Sequence, residues 1–143
     1  HAAGSGKGVS LNLMSTAERK EEVQKGMDAI KNAANKDASV YFRAPGGNFN
    51  DSVANDLRDM VQGEIGWNID TEDWRRPGAD TIASRIKSAG PGEVILMHDG
   101  GGDRSQTVAA LREALPYLKS QSYKFVTISE LIEAYPYQEG QHS

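Results

Sequence analysis

Residues 93–107 read EVILMHDGGGDRSQT. Four apolar residues, Val94 to Met97, run without a break into His98 and Asp99, and a glycine triplet separates them from Ser105, where a helix opens. An apolar run of this length between Gly92 and Gly100 has the pattern of a strand buried on both faces, as in a parallel sheet. In parallel α/β sheets chemistry sits just past the C-terminal ends of strands, which makes His98 a candidate working residue. The competing reading is a half-buried loop histidine hydrogen-bonded to Asp99.

Downstream, a helix from about Gln106 to Ser120 would turn Val108, Leu111, Leu115 and Leu118 inward. Pro116 inside it should kink the helix or mark a break near residue 112. Lys124 to Ile128 has the pattern of a last strand. Thr127 and Glu130 have capping-box spacing for a last helix, SELIEAY. Upstream, Ser15 and Glu18 have the same spacing, and Val23, Met27, Ile30 and Ala34 form an apolar stripe behind them. Val40 to Phe42 read as a strand that ends at Arg43. Asn50 or Asp51 should cap a helix with Val53, Leu57 and Met60 inward, closed by Gly63. Ile65 to Ile69 read as a strand with Trp67 in the core, ending at Asp70. Asp80 is the expected cap of a helix that buries Ile82 and Ile86 and stops at Gly90 and Pro91.

The order is therefore α, then βα four times, which argues for an α/β fold with a parallel sheet. Right-handed crossovers would place every strand's C-terminus on one rim. Arg43, Asp70 with Asp73, and His98 each follow a different strand, so they are expected to converge there. A carboxylate beside His98 would fix its tautomer and favour the protonated ring that a general acid needs. Trp74, on a rim loop beside Arg75 and Arg76, suits stacking on a sugar. The glycines after Arg43, Gly46 among them, let a substrate approach the backbone. Gly100 to Gly102 have the look of an anion cradle.

The totals bound the rest. The chain has 143 residues, 38% of them hydrophobic and 25% charged, with a formal net charge of −4. That composition is globular, and nothing in it forms a basic patch, so nucleic acid is not an expected partner. No apolar run approaches the roughly 20 residues of a membrane span. Cysteine is absent, which removes disulfides, thiolate catalysis and Cys-ligated zinc. Residues 1–10 read as a flexible loop or linker, with His1 as the tail of an expression tag, and residues 136–143 as a frayed tail.

FRAPGGNFN (42–50), WNIDTEDW (67–74) and VILMHDGGGDRSQTVAAL (94–111) resemble motifs three, four and five of the NodB-homology polysaccharide deacetylases, carbohydrate esterase family 4. YKFVTISELI (123–132) resembles the family's closing strand and helix. The resemblance covers about residues 11–135. It implies the C-terminal part of a distorted (β/α) barrel. It also implies removal of acetyl groups from a polysaccharide by means of a divalent metal, usually zinc. N-acetylglucosamine residues of peptidoglycan or a chitin-like polymer are the expected substrate. In the family the metal is held by an aspartate and the two histidines of an H-x-x-x-H motif, and a neighbouring aspartate is the base. Carried over to this chain, the catalytic set is His98 as the general acid, Asp73 paired with it, and Arg43 orienting the base aspartate. The substrate-binding set is Trp74 walling the sugar groove, Leu96 lining the acetyl pocket, and Gly46.

The family's first motif, TFDDG, is not in the sequence, nor is H-x-x-x-H. Counted back from LNLMSTAE, the histidines would fall near Gly4 and Gly8. Alternatively His1 is the first and Ser5 stands in place of the second. A single imidazole does not hold zinc. The metal ligands are therefore expected mainly outside this chain, and the chain alone is expected to be inactive. It would need the N-terminal part of the domain or self-association. An exported protein at the cell surface is the implied setting. The alternative is a non-catalytic carbohydrate-binding or structural remnant of the deacetylase fold.

Overall fold

A computed structural model describes residues 10–136, and these divide into two compact units at Gly66 and Trp67. In the first, α1 (Thr16–Ala34) starts on the capping box read from the sequence: the Ser15 hydroxyl accepts from the Glu18 amide, and the Glu18 carboxylate accepts from the Ser15 amide. Its apolar stripe is buried only in its first half, at Val23, while Ile30 and Ala34 are exposed. The physical reason is length: α2 (Asp51–Leu57), the helix packed on α1, has 7 residues against 19. At 1.5 Å rise per residue it cannot cover the second half.

Asn50 caps α2 through its side-chain oxygen, which accepts from the Val53 amide at 3.0 Å. Val53 and Leu57 are fully buried against Leu11, Val23 and Ala44. Gly63 does not close this helix, which ends at Leu57; it opens β2 (Gly63–Glu64), parallel to β1 (Tyr41–Phe42). Arg19, unremarked in the sequence, is buried and donates to the Leu11 and Asn12 carbonyls, the Ser52 hydroxyl and the Asp56 carboxylate. All three nitrogens of its guanidinium are bonded, as a buried arginine requires.

In the second unit β3 (Ile69–Asp70) pairs in parallel with β4 (Ile95–Leu96). Of the strand expected over Ile65–Ile69 only Ile69 lies in a strand, and Trp67 precedes it, exposed rather than in the core. Each sheet has only two residue pairs in register, so side chains add bonds to the ladders. The Thr71 hydroxyl donates to the Leu96 carbonyl, and the Asn68 side-chain oxygen accepts from the Val94 amide, both at 2.8 Å. β4 and its neighbours are half-buried, not buried on both faces. One side borders a cavity of about 280 Å³ lined by Ile95, Met97, Leu115, Phe125, Val126 and Leu131.

The cap of α3 (Ala79–Lys87) is Gly78, not Asp80, which lies in the first turn where its charge complements the helix dipole. α4 (Ser105–Ser120) runs without the expected break at residue 112, with Pro116 inside it. Its buried face is Thr107, Ala110, Ala114 and Leu118; of the expected inward residues Leu118 is buried and Leu111 packs against the core, whereas Val108 and Leu115 are exposed. The alanines explain this, because small side chains let α4 approach Ile82, Ala83 and Ile86 of α3 closely. Lys124–Ile128 forms no strand; Ile128 instead opens α5 (Ile128–Ala134), whose Thr127–Glu130 capping box is formed as read. Residues 1–9 and 137–143 lie outside the described residues, and with them the expected linker and most of the expected tail. Among the described residues no helix is long and apolar enough to cross a membrane.

Ile82 is fully buried at the centre of the second core. Ile82→Ala is expected to lower the unfolding free energy by about 3 kcal/mol, from lost transfer energy plus the cavity left behind. A urea titration checks this; an unmoved midpoint would mean the α3–α4 contact closes around the gap.

Candidate active site

The β3–β4 register sets Ile69 opposite Ile95 and Asp70 opposite Leu96, so the two strand ends run out side by side toward Asp73 and His98. After β3 the chain turns sharply. Asp70 accepts from the Glu72 amide, and Glu72 takes a left-handed φ of 47°. A 3₁₀ turn, Asp73–Arg75, follows and aims the Asp73 side chain inward, where it is 1% exposed. One carboxylate oxygen, Oδ1, lies 2.6 Å from His98 Nδ1. The other, Oδ2, accepts from the His98 amide at 2.8 Å and from the Thr107 hydroxyl at 2.9 Å. His98 is therefore paired with Asp73, not with its neighbour Asp99, and its side chain remains 30% exposed.

Burial pushes the Asp73 carboxyl upward, but bonds from the His98 side chain, the His98 amide and Thr107 outweigh it and hold the group below the ordinary carboxylate value. An ionised Oδ1 accepts only, so Nδ1 carries the proton and Nε2 is left as the exchanging ring atom. That is the arrangement of an oriented acid–base histidine.

Trp74 is 51% exposed, and the Arg75 guanidinium carbon lies 4.8 Å from its ring centroid. Leu96 is half-buried in β4. Asp73, Trp74, Leu96 and His98 thus belong to the second unit, and Arg43 and Gly46 to the first. Arg43 donates to the Ile65 and Gly66 carbonyls at 2.9 and 3.1 Å, beside the end of β2. Gly46 has a φ of 67°, a left-handed conformation that favours glycine, and a Cβ there would lie 3.0 Å from the Asn48 side-chain nitrogen Nδ2. In the glycine triplet, Gly100 and Gly101 turn their carbonyls toward the Arg104 guanidinium.

Among the described residues no three His, Cys, Asp or Glu side chains cluster as metal ligands, and both oxygens of Asp73 already accept from buried or half-buried donors. The described residues therefore do not fit a divalent metal. His1, Gly4, Ser5 and Gly8, where the sequence sought histidines, lie outside them. Thr107, 34 residues from Asp73, gave no signal in the sequence beyond its place in the first turn of a helix.

No family model matches the chain. It is 47% identical over 96 residues to a peptidoglycan-N-acetylglucosamine deacetylase of Bacillus cereus, a match covering 65% of this chain and 45% of that protein. It is 31% identical over 133 residues to a chitooligosaccharide deacetylase of Bradyrhizobium, covering 85% and 61%. Among solved structures, a carbohydrate esterase family 4 pseudoenzyme of Bacillus anthracis superposes with a TM-score of 0.73 at 35% identity, covering 83% of this chain and 41% of that one. The chain spans about half the length of the relatives it matches. The motifs, the parallel β/α units and these similarities together place the chain in the polysaccharide deacetylases of carbohydrate esterase family 4, whose fold is a distorted (β/α) barrel.

Proposed function

We propose that the chain is part of a metal-dependent deacetylase domain acting on N-acetylglucosamine residues of peptidoglycan or a chitin-like polymer, with His98 as the acid that protonates the leaving amine. One observation carries this reading: the buried Asp73 carboxyl holds Nδ1 of a histidine whose ring stays partly open to solvent. Hydrolysis of the acetamide adds the oxygen of water to the acetyl carbon, breaks the C–N bond and releases acetate. The departing nitrogen must take up a proton, because an unprotonated amine is a poor leaving group. With Nδ1 held by Asp73, Nε2 is the atom that delivers it.

The exposed indole of Trp74 offers a flat platform for a pyranose, and Leu96 an apolar wall for the acetyl methyl group. Arg43 would orient the base, and Gly46 would let the substrate approach the backbone. The divalent metal, zinc in this reading, would be held mainly by side chains outside this chain, and the base aspartate would come from there too. Alone, the chain would release no acetate. It would need the N-terminal part of the domain, or self-association, to cover apolar side chains such as Phe125 and Val126. The substrates named for its relatives support an exported protein working on the cell wall.

The test is acetate release from chito-oligosaccharide with added zinc or cobalt. No turnover is expected from the chain alone, and turnover is expected once it is fused to the preceding part of the Bacillus cereus relative. Activity of the chain alone would sink the fragment reading, and a folded but inactive fusion would sink the deacetylase reading.

The pseudoenzyme among its structural relatives supports a second reading, in which the chain binds carbohydrate without cleaving it. On either reading Trp74→Ala is expected to weaken chito-oligosaccharide binding about tenfold, the loss of one aromatic stacking contact. Isothermal titration measures it. Binding by the fusion that chelator leaves unchanged, with no acetate released, favours the second reading.

A further inference from the structure

Gln106 and Thr107 are consecutive residues on the first turn of α4, and each is bonded to an end of the loop that carries Trp74. The Thr107 hydroxyl donates to Asp73 Oδ2 at 2.9 Å, and Thr107 is only 3% exposed. The Gly78 amide donates to Gln106 Oε1 at 2.8 Å. The chain between these anchors is contorted. Arg76 has a φ of 53° and Gly78 a φ of 106°, and Glu72, just before the loop, has a φ of 47°. Two of the three are not glycine, so the conformation carries a backbone cost and persists only where neighbours impose it.

We infer that Gln106 and Thr107 are positioning residues with separate tasks. Thr107 fixes the plane of the Asp73 carboxylate, so that Oδ1 stays on His98 Nδ1 while Oδ2 is occupied. Gln106 fixes the far end of the loop, so that Trp74 keeps its exposed face. Proton delivery and the sugar platform are thereby tied to one helix end. The roles of His98 and Trp74 in this inference rest on the proposed deacetylase function; the two anchors do not.

The experiment uses NMR of the intact chain and needs no substrate. In the parent protein the His98 Nδ1–H proton, bonded to a carboxylate, is expected as a low-field resonance slow to exchange. In Thr107→Val, which keeps the volume and removes the donor, that proton is expected to exchange about tenfold faster or more, with the Gly78 amide unchanged. In Gln106→Leu the Gly78 amide is expected to exchange about tenfold faster and the Trp74 indole signal to broaden, with the His98 resonance retained. Thr107→Ser and Gln106→Glu, which keep a hydroxyl and an acceptor oxygen, are expected to match the parent. If Thr107→Val does not fold, Thr107→Ala carries the same arm. Unchanged signals in both variants overturn the inference, and so does the same disturbance of both signals by either variant, which would be mere loosening of α4. Failure of the folded fusion to bind or cleave oligosaccharide would overturn the functional reading while leaving these signals in place.

Discussion

His98→Ala is expected to cut acetate release by about 10²-fold or more in a fusion that restores the rest of the domain, with oligosaccharide binding retained. The size follows from the step that is lost. Removal of a positioned acid leaves the amine to be protonated from bulk water, and general acid–base groups contribute on this scale. Binding is spared because the sugar contact proposed here falls on Trp74. The loss should therefore lie in kcat rather than KM, as for an interaction made in the transition state. His98→Gln sharpens the test, because it keeps a polar side chain near Asp73 and cannot donate a proton in the same way. Equal turnover by either variant would remove His98 from the chemistry.

Asp73→Ala is expected to cost about 3 kcal/mol of stability, measured by denaturant unfolding at neutral pH. The carboxylate satisfies the Thr107 hydroxyl, the His98 amide and the His98 ring at once, and alanine leaves all three without their acceptor. Buried donors stripped of a charged partner account for a loss of that size. The effect has a pH signature with a fixed sign. The Asp73 carboxyl is held below its ordinary value of 3.8, so the unfolded chain binds its proton more readily than the folded one. Its contribution is therefore fully present above that ordinary value and is lost as pH falls through the lower, folded value. The gap between parent and variant should be level from neutral pH to about pH 5 and shrink below about pH 4. A gap that widened on acidification would mean the carboxylate is not the stabilising species.

The parts of this structure that were legible in the sequence are those decided locally. The two capping boxes, at Ser15 and Thr127, involve residues three apart and formed as read. The Asn50 cap is equally local. The alternation of elements implied that Asp73 and His98 lie at neighbouring strand ends, and the family resemblance implied that the two pair. What the sequence hid depends on partners far along the chain. Lys124–Ile128 has the composition of a strand, but a strand needs a neighbour to pair with, and in the structure described here that stretch pairs with none. α4 carries two apolar stripes, and the choice between them fell to α3, whose close approach selects alanines over larger side chains. Asp80 is a good cap by type, yet Gly78 took the place because the loop arrives there at a positive φ. Thr107 reaches Asp73 across 34 residues, which no spacing rule connects.

The brevity of the strands bears on how such a chain can diverge. Ile69, Ile95 and Leu96 are joined through backbone groups that every residue but proline possesses, so drift among aliphatic side chains of similar volume leaves their ladder intact. Asn68, Thr71 and Arg43 have no such latitude. Each uses a particular side-chain atom in place of a strand bond that two-residue ladders are too short to supply. The sequence information that preserves these two short sheets across generations therefore resides largely in a few polar positions at the strand ends, where an apolar pattern alone would not reveal it.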